Sequence, residues 1–111
     1  MRITEWRRKI DAIDTAMLHL LNLRAELALE VGRLKDQHGV GLRAPEREQQ
    51  ILARMKRLNS GPLSDQSVER IYHMILDESI HTQEKNGYGE ARSLRATAAR
   101  SPSRRRKAAA T

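Results

Sequence analysis

The chain has 111 residues, a formal net charge of +7 and no cysteine, and 39% of its residues are hydrophobic. The lack of cysteine excludes disulfide bonds and a thiolate nucleophile, no apolar run approaches the ~18 residues of a membrane span, and the first residues lack the apolar core of a signal peptide. We therefore expect one small all-α domain with an aliphatic core, located in the cytoplasm.

The first predicted element is one long amphipathic helix over residues 5–37. Its apolar residues recur at the three-and-four spacing of a single helix face, which we call the apolar stripe. The stripe consists of Trp6, Ile10, Ile13, Met17, Leu20, Leu21, Leu27, Ala28, Val31 and Leu34. At about 100° per residue, Arg24 and Lys35 both fall within it. Because an unpaired buried cation costs roughly several kcal/mol, both side chains need an anionic partner.

Two kinds of partner fit these cations. One is a pair of internal salt bridges to acidic residues on other helices. The other is a small dianion gripped from both ends, since Arg24 and Lys35 lie on one line about 16 Å apart along the helix axis. Arg7 lies near the same face but about 25 Å from Arg24. If Arg7 takes part in the same site, it must come from a second copy of the chain.

A second helix is predicted to begin near Pro45, after a stop signal at Gly39 and Gly41. Its apolar face is formed by Ile51, Leu52, Met55 and Leu58. On the helical wheel Glu48 points inward among these aliphatic residues, and Arg47 lies at the other edge of the face. Glu48 suits two roles. It is either an internal partner of the stripe cations or a carboxylate that accepts a hydrogen bond from a ligand hydroxyl.

A third helix is predicted after Ser64, which is a suitable N-cap and is followed by Asp65 in the first turn. Along one side its apolar row is continued by Ser79 and Gln83, which lie four residues apart. Either the row turns polar as the helix leaves the core, or these two uncharged side chains face a ligand.

The three helices are unequal in length, about 50, 22 and 33 Å at a rise of 1.5 Å per residue. The two shorter helices cannot cover the whole apolar stripe, and a continuous stripe longer than about 25 residues is typical of a helix that pairs with another. We therefore predict an intertwined homodimer in which the long helices pair. This arrangement also supplies the second copy of Arg7.

Much of the excess positive charge belongs to residues 86–111, which hold seven cationic residues and one acidic residue. No large apolar residue follows Leu94, so we predict a disordered basic tail after a helical domain of residues 1–85. The run 103–107 either binds phosphate-rich polymers or only adds solubility. The four histidines share no metal-ligand spacing, so we expect no metal site.

The charged and polar residues described above lie in motifs that resemble those of the AroQ-class, all-helical chorismate mutases. The motifs are WRRKIDAID at 6–14, LLNLR at 20–24, ALEVGRLK at 28–35, PERE at 45–48 and DESIHTQ at 77–83. Each motif alone is a weak signal, but in this order and at this spacing they are specific. The resemblance covers about residues 5–85 without a large insertion.

The resemblance implies a domain-swapped homodimer of three-helix chains that isomerises chorismate to prephenate, the branch step toward phenylalanine and tyrosine. It also implies how the substrate is held. Arg24 and the partner subunit's Arg7 would bind the two carboxylates, and Ser79 would assist at one of them.

The resemblance further implies that Lys35 and Gln83 donate hydrogen bonds to the ether oxygen as the C–O bond breaks. Glu48 would hold the ring hydroxyl, and Arg47 would organise the site from behind. The chain departs from the family at Ala44, where members often carry an acidic residue. Weaker binding of the hydroxyl, rather than loss of activity, is the expected effect.

A pericyclic rearrangement needs no nucleophile, metal or cofactor, only a folded substrate and charge stabilisation at one oxygen, so we expect no cofactor. Two alternatives stay open at this point. One is an isochorismate-pyruvate lyase on the same fold, although Glu48 favours the mutase. The other is a non-enzymatic helical dimer whose tail binds nucleic acid, which leaves Arg24 and Lys35 unexplained. An interaction with another shikimate-pathway enzyme also stays open.

Overall fold

The computed structural model describes residues 2–89, and all regular structure within them is helical. Helix α1 spans Arg2–Gln37, α2 spans Pro45–Leu58 and α3 spans Asp65–Lys85. This part of the chain contains no strand, so the predicted all-α class with one long and two shorter helices is confirmed. Residues 90–111, which hold most of the predicted basic tail, lie outside the described residues, so the tail stays a prediction.

Helix α1 ends at a glycine, as the sequence predicts. Gly39 has a φ of 68°, in the left-handed region that L side chains rarely adopt. The backbone N–H of Val40 donates a hydrogen bond to the carbonyl oxygen of Lys35 at 2.9 Å, which closes the last turn. Helix α2 then begins with Pro45, whose missing N–H would have no partner inside the helix anyway.

Helix α3 is the central element, because it packs against both α1 and α2. It begins at the predicted N-cap, where the hydroxyl oxygen of Ser64 accepts a hydrogen bond from the N–H of Ser67 at 3.1 Å. The buried core lies between α2 and α3. It consists of Ile51, Leu52 and Leu76, with Met55 and Tyr72 packed around them.

The N-terminal half of α1 extends beyond the other two helices. All large apolar residues of the apolar stripe are between 41% and 63% exposed, and Trp6 is 60% exposed. The prediction that the shorter helices cannot cover the whole stripe is therefore confirmed. Contiguous apolar surface of this kind marks an interaction site in a soluble protein. The homodimer that would cover it stays a prediction.

Residues 86–89, which the sequence pattern assigns to the tail, are packed against the helices. The side chain of Tyr88 is buried, and the N–H of Gly89 donates a hydrogen bond to the Asp36 carboxylate at 3.2 Å. Asp36 belongs to the last turn of α1 and is itself buried. The folded unit therefore includes these residues beyond the end of α3.

Residues 2–89 contain no helix that is long and apolar enough to cross a membrane. The same residues do not bring together three or more His, Asp or Glu side chains in an arrangement that would hold a metal ion. The cytoplasmic location expected from the sequence stays a prediction.

Candidate active site

A cleft of about 310 Å³ lies between the three helices and the loop before α2. This volume is within the range of small-molecule sites in proteins. Six of the seven residues predicted for the site line it: Arg24, Lys35, Arg47, Glu48, Ser79 and Gln83. The cleft also has apolar walls, which include Leu27, Val31, Ile51 and Leu76. Within one chain the structure therefore brings together six of the predicted residues, from all three helices, but not Arg7. Their roles stay a prediction.

Arg24 of α1 contacts Ser79 of α3 across the cleft. The Arg24 guanidinium donates a hydrogen bond to the Ser79 hydroxyl oxygen at 2.7 Å. The hydroxyl in turn donates to the carbonyl oxygen of Ile75 at 3.1 Å, one helical turn earlier. Ser79 therefore fixes one arm of Arg24, while the other N–H groups of the guanidinium stay available for an anion.

Lys35 lies at the other end of the cleft. Its ammonium group donates a hydrogen bond to the backbone carbonyl oxygen of Leu42 at 2.9 Å. An ammonium group has three donors, so this bond orients the side chain and leaves two donors for other acceptors. Leu42 is buried and belongs to the loop that connects α1 to α2.

No carboxylate of residues 2–89 pairs with the cations of the cleft. The ion pairs among these residues involve other arginines and lysines, and neither Arg24 nor Lys35 is within 4.0 Å of an acidic oxygen. Arg47 at the start of α2 also has no acidic partner there. The internal salt bridges considered from the sequence are absent within this range. Arg24 and Lys35 are thus half-buried cations without carboxylate partners, which is the arrangement expected of an anion-binding site.

Gln83 is the most deeply buried polar residue of the cleft, with 4% of its surface exposed. Its amide nitrogen donates a hydrogen bond to the carbonyl oxygen of Ala28 at 2.6 Å. This contact fixes the orientation of the amide, because the reverse orientation would set two oxygens against each other. The amide oxygen is buried and has no hydrogen-bond partner among the described residues. The second hydrogen on the nitrogen is left over for another acceptor.

Glu48 has a partner that the sequence analysis did not anticipate. Its carboxylate accepts a hydrogen bond from Arg43 at 3.0 Å, and the same guanidinium donates to Asp77 of α3 at 2.7 Å. The hydrogen bond to Asp77 raises the pKa of Arg43 above its ordinary value. Arg43 thus links the start of α2 to α3 and neutralises the Glu48 charge. Ala44 also lines the cleft.

Arg7 does not line this cleft. It is exposed on the N-terminal half of α1, about 25 Å from Arg24 at the helical rise. No other described residue forms an ion pair with it. Within one chain it therefore takes no part in the site, as the helix geometry predicts.

Three residues near the site escaped the sequence analysis: Gly32, Leu42 and Arg43. Gly32 could have been recognised from the sequence. A glycine inside a helix lowers helix stability by about 1 kcal/mol relative to alanine, and it often marks a place where another part of the chain packs closely. Leu42 contributes through its backbone, which the sequence does not reveal. Arg43 lies in a loop, where periodicity gives no information about the direction of a side chain.

A larger concavity of about 1030 Å³ lies beyond Leu42 and Arg43. It contains none of the predicted residues. Its lining includes three acidic residues of α3, Asp77, Glu78 and Glu84. The nearest cation, Arg43, is already bonded to Asp77. We therefore place the candidate site in the smaller cleft, where unpaired cations and uncharged donors converge.

The geometry can be compared with known proteins. The sequence model of the type II chorismate mutase family matches residues 6–84. A chorismate mutase of Methanocaldococcus jannaschii is 31% identical over 85 residues, which cover 76% of this chain and 86% of that protein. A bifunctional chorismate mutase/prephenate dehydratase of Neisseria gonorrhoeae is 43% identical over 74 residues. This chain spans about a fifth of the length of that bifunctional protein.

The fold also matches a solved structure. A chorismate mutase of Thermus thermophilus superimposes with a TM-score of 0.74 at 31% sequence identity. The match covers 76% of this chain and 96% of the other chain. The three-helix arrangement described above is therefore that of a solved chorismate mutase.

Proposed function

The chain belongs to the type II chorismate mutase family, and on that basis we propose that it rearranges chorismate to prephenate in the cleft between its three helices. The observation that carries this proposal is the set of half-buried cations without carboxylate partners among residues 2–89. Arg24 and Lys35 lie at opposite ends of a cleft that also contains the uncharged donors Ser79 and Gln83. A small dianion with a hydroxyl group and an ether oxygen complements this set.

The substrate carboxylates are held by guanidinium groups. Arg24 binds one carboxylate with the N–H groups that are not bonded to Ser79. The hydrogen bond to Ser79 holds the guanidinium in a fixed orientation. Planar guanidinium groups match carboxylates in a bidentate geometry, which fixes orientation as well as position. Holding both ends of the substrate brings its two reacting carbons together, which converts a rare conformer into the bound one.

The reaction itself transfers no proton and forms no covalent intermediate with the protein. The ether C–O bond breaks as the new C–C bond forms, and negative charge develops on the ether oxygen in the transition state. Lys35 and Gln83 donate hydrogen bonds to that oxygen. Both side chains are already oriented, by Leu42 and Ala28 respectively. Preorganised donors of this kind stabilise the transition state without a cost of reorganisation.

The ring hydroxyl of the substrate donates to Glu48. Arg43 holds this carboxylate in position, and carboxylate oxygens accept hydrogen bonds, so Glu48 suits a hydroxyl donor. Ala44 supplies no second carboxylate. The Arg43 contact therefore compensates in part for the acidic residue that many family members have there. Arg47, which lines the cleft from the first turn of α2, adds positive charge at its edge.

The working form is an intertwined homodimer in which the exposed half of α1 from one chain covers the partner. Two observations support this. The apolar stripe of α1 is exposed over its N-terminal half, and Arg7 is too far from the cleft of its own chain to reach it. In the dimer, Arg7 of the partner subunit closes the site over the second carboxylate. Each site is then built from both chains.

The decisive experiment follows the loss of chorismate absorbance with purified full-length protein, with acid conversion of the prephenate product to phenylpyruvate. Three proteins are compared: the wild type, Lys35→Ala and Lys56→Ala. Lys56 is a matched control because its ammonium pairs with Glu69 at 3.0 Å outside the cleft. We expect turnover by the wild type and by Lys56→Ala. Lys35→Ala should lose at least about 10²- to 10³-fold in kcat, as for removal of a main electrostatic stabiliser.

Other outcomes would contradict the proposal. An inactive wild type would exclude the mutase, and release of pyruvate from isochorismate would then assign the cleft to the lyase reaction. Equal losses of kcat in Lys35→Ala and Lys56→Ala would mean that the protein is a mutase whose activity does not depend specifically on this cleft.

A further inference from the structure

The chain does not leave the fold at the end of α3. The segment 86–89 curls back, and we call it the C-terminal clasp. The N–H of Gly87 donates to the carbonyl oxygen of Glu84 at 2.9 Å, and the N–H of Tyr88 donates to the carbonyl oxygen of Gln83 at 3.0 Å. Two glycines of the clasp, at 87 and 89, have φ values of 89° and 87°. The buried ring of Tyr88 anchors the segment.

The clasp contacts α1 directly beside Lys35. The N–H of Gly89 donates a hydrogen bond to the carboxylate of Asp36 at 3.2 Å. Asp36 is the next residue after Lys35 and is 5% exposed. A buried carboxylate needs hydrogen-bond donors, and the clasp supplies one of them from its own backbone.

The clasp also packs closely against Leu42. A Cβ atom added to Gly89 would lie 2.8 Å from Cδ1 and 3.0 Å from Cγ of Leu42, so a side chain at this position would force Leu42 or the clasp to shift. Leu42 is buried, and its backbone carbonyl is the acceptor of the Lys35 ammonium at 2.9 Å. The clasp, Leu42 and Lys35 thus form one continuous chain of contacts that ends in the cleft.

We infer that the C-terminal clasp is a positioning element for Lys35, which holds the Leu42 carbonyl at the place where it orients the ammonium group. The inference rests on the proposed function for its effect on catalysis. Lysine has a flexible four-carbon stem, so without a fixed acceptor its ammonium samples several positions. A donor that is already in place at the reacting oxygen stabilises the transition state more than a mobile one. The clasp itself touches no substrate.

The chain offers a matched pair of substitutions to test this. Gly89→Ala and Gly61→Ala both place a side chain at a left-handed φ, 87° and 82° respectively. Both substitutions therefore place a Cβ at a φ that L side chains rarely adopt. A Cβ at Gly61 would meet nothing within 4 Å, whereas a Cβ at Gly89 would collide with Leu42. A difference between the two variants isolates the contact with Leu42.

We expect Gly89→Ala to lower kcat on the order of ten- to hundredfold with little change in KM, because a donor displaced by about 1 Å costs a loss of this size. Gly61→Ala should keep the wild-type kcat. The loss should also depend on Lys35. In a Lys35→Ala background, measured at high enzyme concentration, adding Gly89→Ala should cause no further loss, since the two changes act on one donor.

A second pair tests the other anchor of the clasp. Asp36→Asn keeps an oxygen that can accept from the Gly89 N–H and should retain most of kcat. Asp36→Leu removes the acceptor while keeping four side-chain heavy atoms in the same branched arrangement, and it should lower kcat as Gly89→Ala does. Thermal unfolding is recorded for all variants, so that a loss of folding is distinguished from a loss of positioning.

Side-chain ¹³C relaxation at Lys35 gives a readout that does not depend on turnover. Greater mobility of Lys35 in Gly89→Ala, but not in Gly61→Ala, supports the clasp even if the wild type fails to convert chorismate. Unchanged mobility together with equal kcat in the two glycine variants would overturn the inference while the proposed function stands. A loss from Gly89→Ala that persists undiminished in the Lys35→Ala background would also overturn it.

Discussion

Gly32 of α1 lies directly against the side chain of Gln83 of α3. A Cβ atom at Gly32 would lie 2.9 Å from Cγ of Gln83 and 3.2 Å from its amide nitrogen. The absence of a side chain at position 32 therefore provides the space in which the buried amide reaches the Ala28 carbonyl.

Gly32→Ala should lower kcat by displacing Gln83. Alanine improves helix propensity by about 1 kcal/mol over glycine, whereas overpacking costs about 1–3 kcal/mol. We therefore expect a small net loss of stability and a much larger loss of activity. Thermal unfolding and chorismate kinetics on the same samples separate the two effects. Unchanged kcat in a folded Gly32→Ala protein would argue against this account of Gln83.

Gln83→Glu should confine activity to acidic pH. A carboxylic acid can donate a hydrogen bond, but its ionised form cannot, and the ionised form would face the Ala28 carbonyl that now lies 2.6 Å from the amide nitrogen. Burial and this repulsion both disfavour the charged form, so the pKa of the new carboxyl group rises. Activity should fall as the pH increases through that pKa, whereas the wild type keeps its activity. Rates measured between about pH 5 and pH 8 test this, and undiminished activity of the variant near pH 8 would count against Gln83 as the ether-oxygen donor.

Arg43→Gln should weaken substrate binding without unfolding the protein. Half of the Arg43 side chain is exposed, so its two ion pairs contribute at most about 1 kcal/mol each to stability. Glu48 loses the partner that orients it, and we expect KM to rise several-fold with a smaller change in kcat. Arg33→Gln is the control, because Arg33 pairs with Glu30 at 3.0 Å and does not line the cleft. Equal KM values for the two variants would remove Arg43 from the site.

Mixing two inactive variants should restore activity if the sites are shared between chains. In a mixed dimer of Arg7→Ala and Lys35→Ala, one site has its own Lys35 and an intact Arg7 from the partner subunit. The other site has lost both. Random exchange of an equal mixture should therefore give about a quarter of the wild-type activity. A mixture that stays inactive after exchange of subunits, verified with labelled chains, would contradict a shared site.

Acid should weaken one specific ion pair between α2 and α3. The hydrogen bond from Lys56 lowers the pKa of Glu69 below its ordinary value. A carboxylate with a lowered folded-state pKa adds stability above its unfolded pKa of about 4.3, and this is lost as the pH falls through the folded pKa. Melting temperatures between about pH 7 and pH 3 should therefore fall less steeply for Glu69→Gln than for the wild type. Glu26→Gln, at a position without an ion pair among residues 2–89, should follow the wild type.

The sequence was sufficient for the parts of the fold that depend on local signals. Hydrophobic periodicity, the cap at Ser64, Pro45 and Gly39 located the end of α1 and the starts of α2 and α3, because these signals act within a few positions along the chain. The start of α1 lies three residues before the predicted residue 5. The helical wheel also pointed to polar residues that line the cleft, because a polar side chain on an apolar helix face needs a polar partner or a ligand.

The contacts that depend on tertiary packing were beyond the sequence. The link from Arg43 to Asp77 joins residues 34 positions apart, and a helical wheel gives the face of a residue but not the neighbour opposite it. The role of Leu42 is carried by a backbone carbonyl, which all residues possess. The clasp was assigned to the tail because glycine-rich composition predicts a loop equally well whether or not the loop is packed.

Trp6 is the only tryptophan of the chain, and it lies on the exposed half of α1 with Lys9 over its ring at 4.5 Å. Its indole is thus the single fluorophore of its kind, located on the face that a second chain would cover. In water the emission is red-shifted, and burial against apolar side chains shifts it to shorter wavelength. The protein therefore carries its own optical reporter of assembly, and a dilution series read in emission wavelength would follow the covering of α1 without any label.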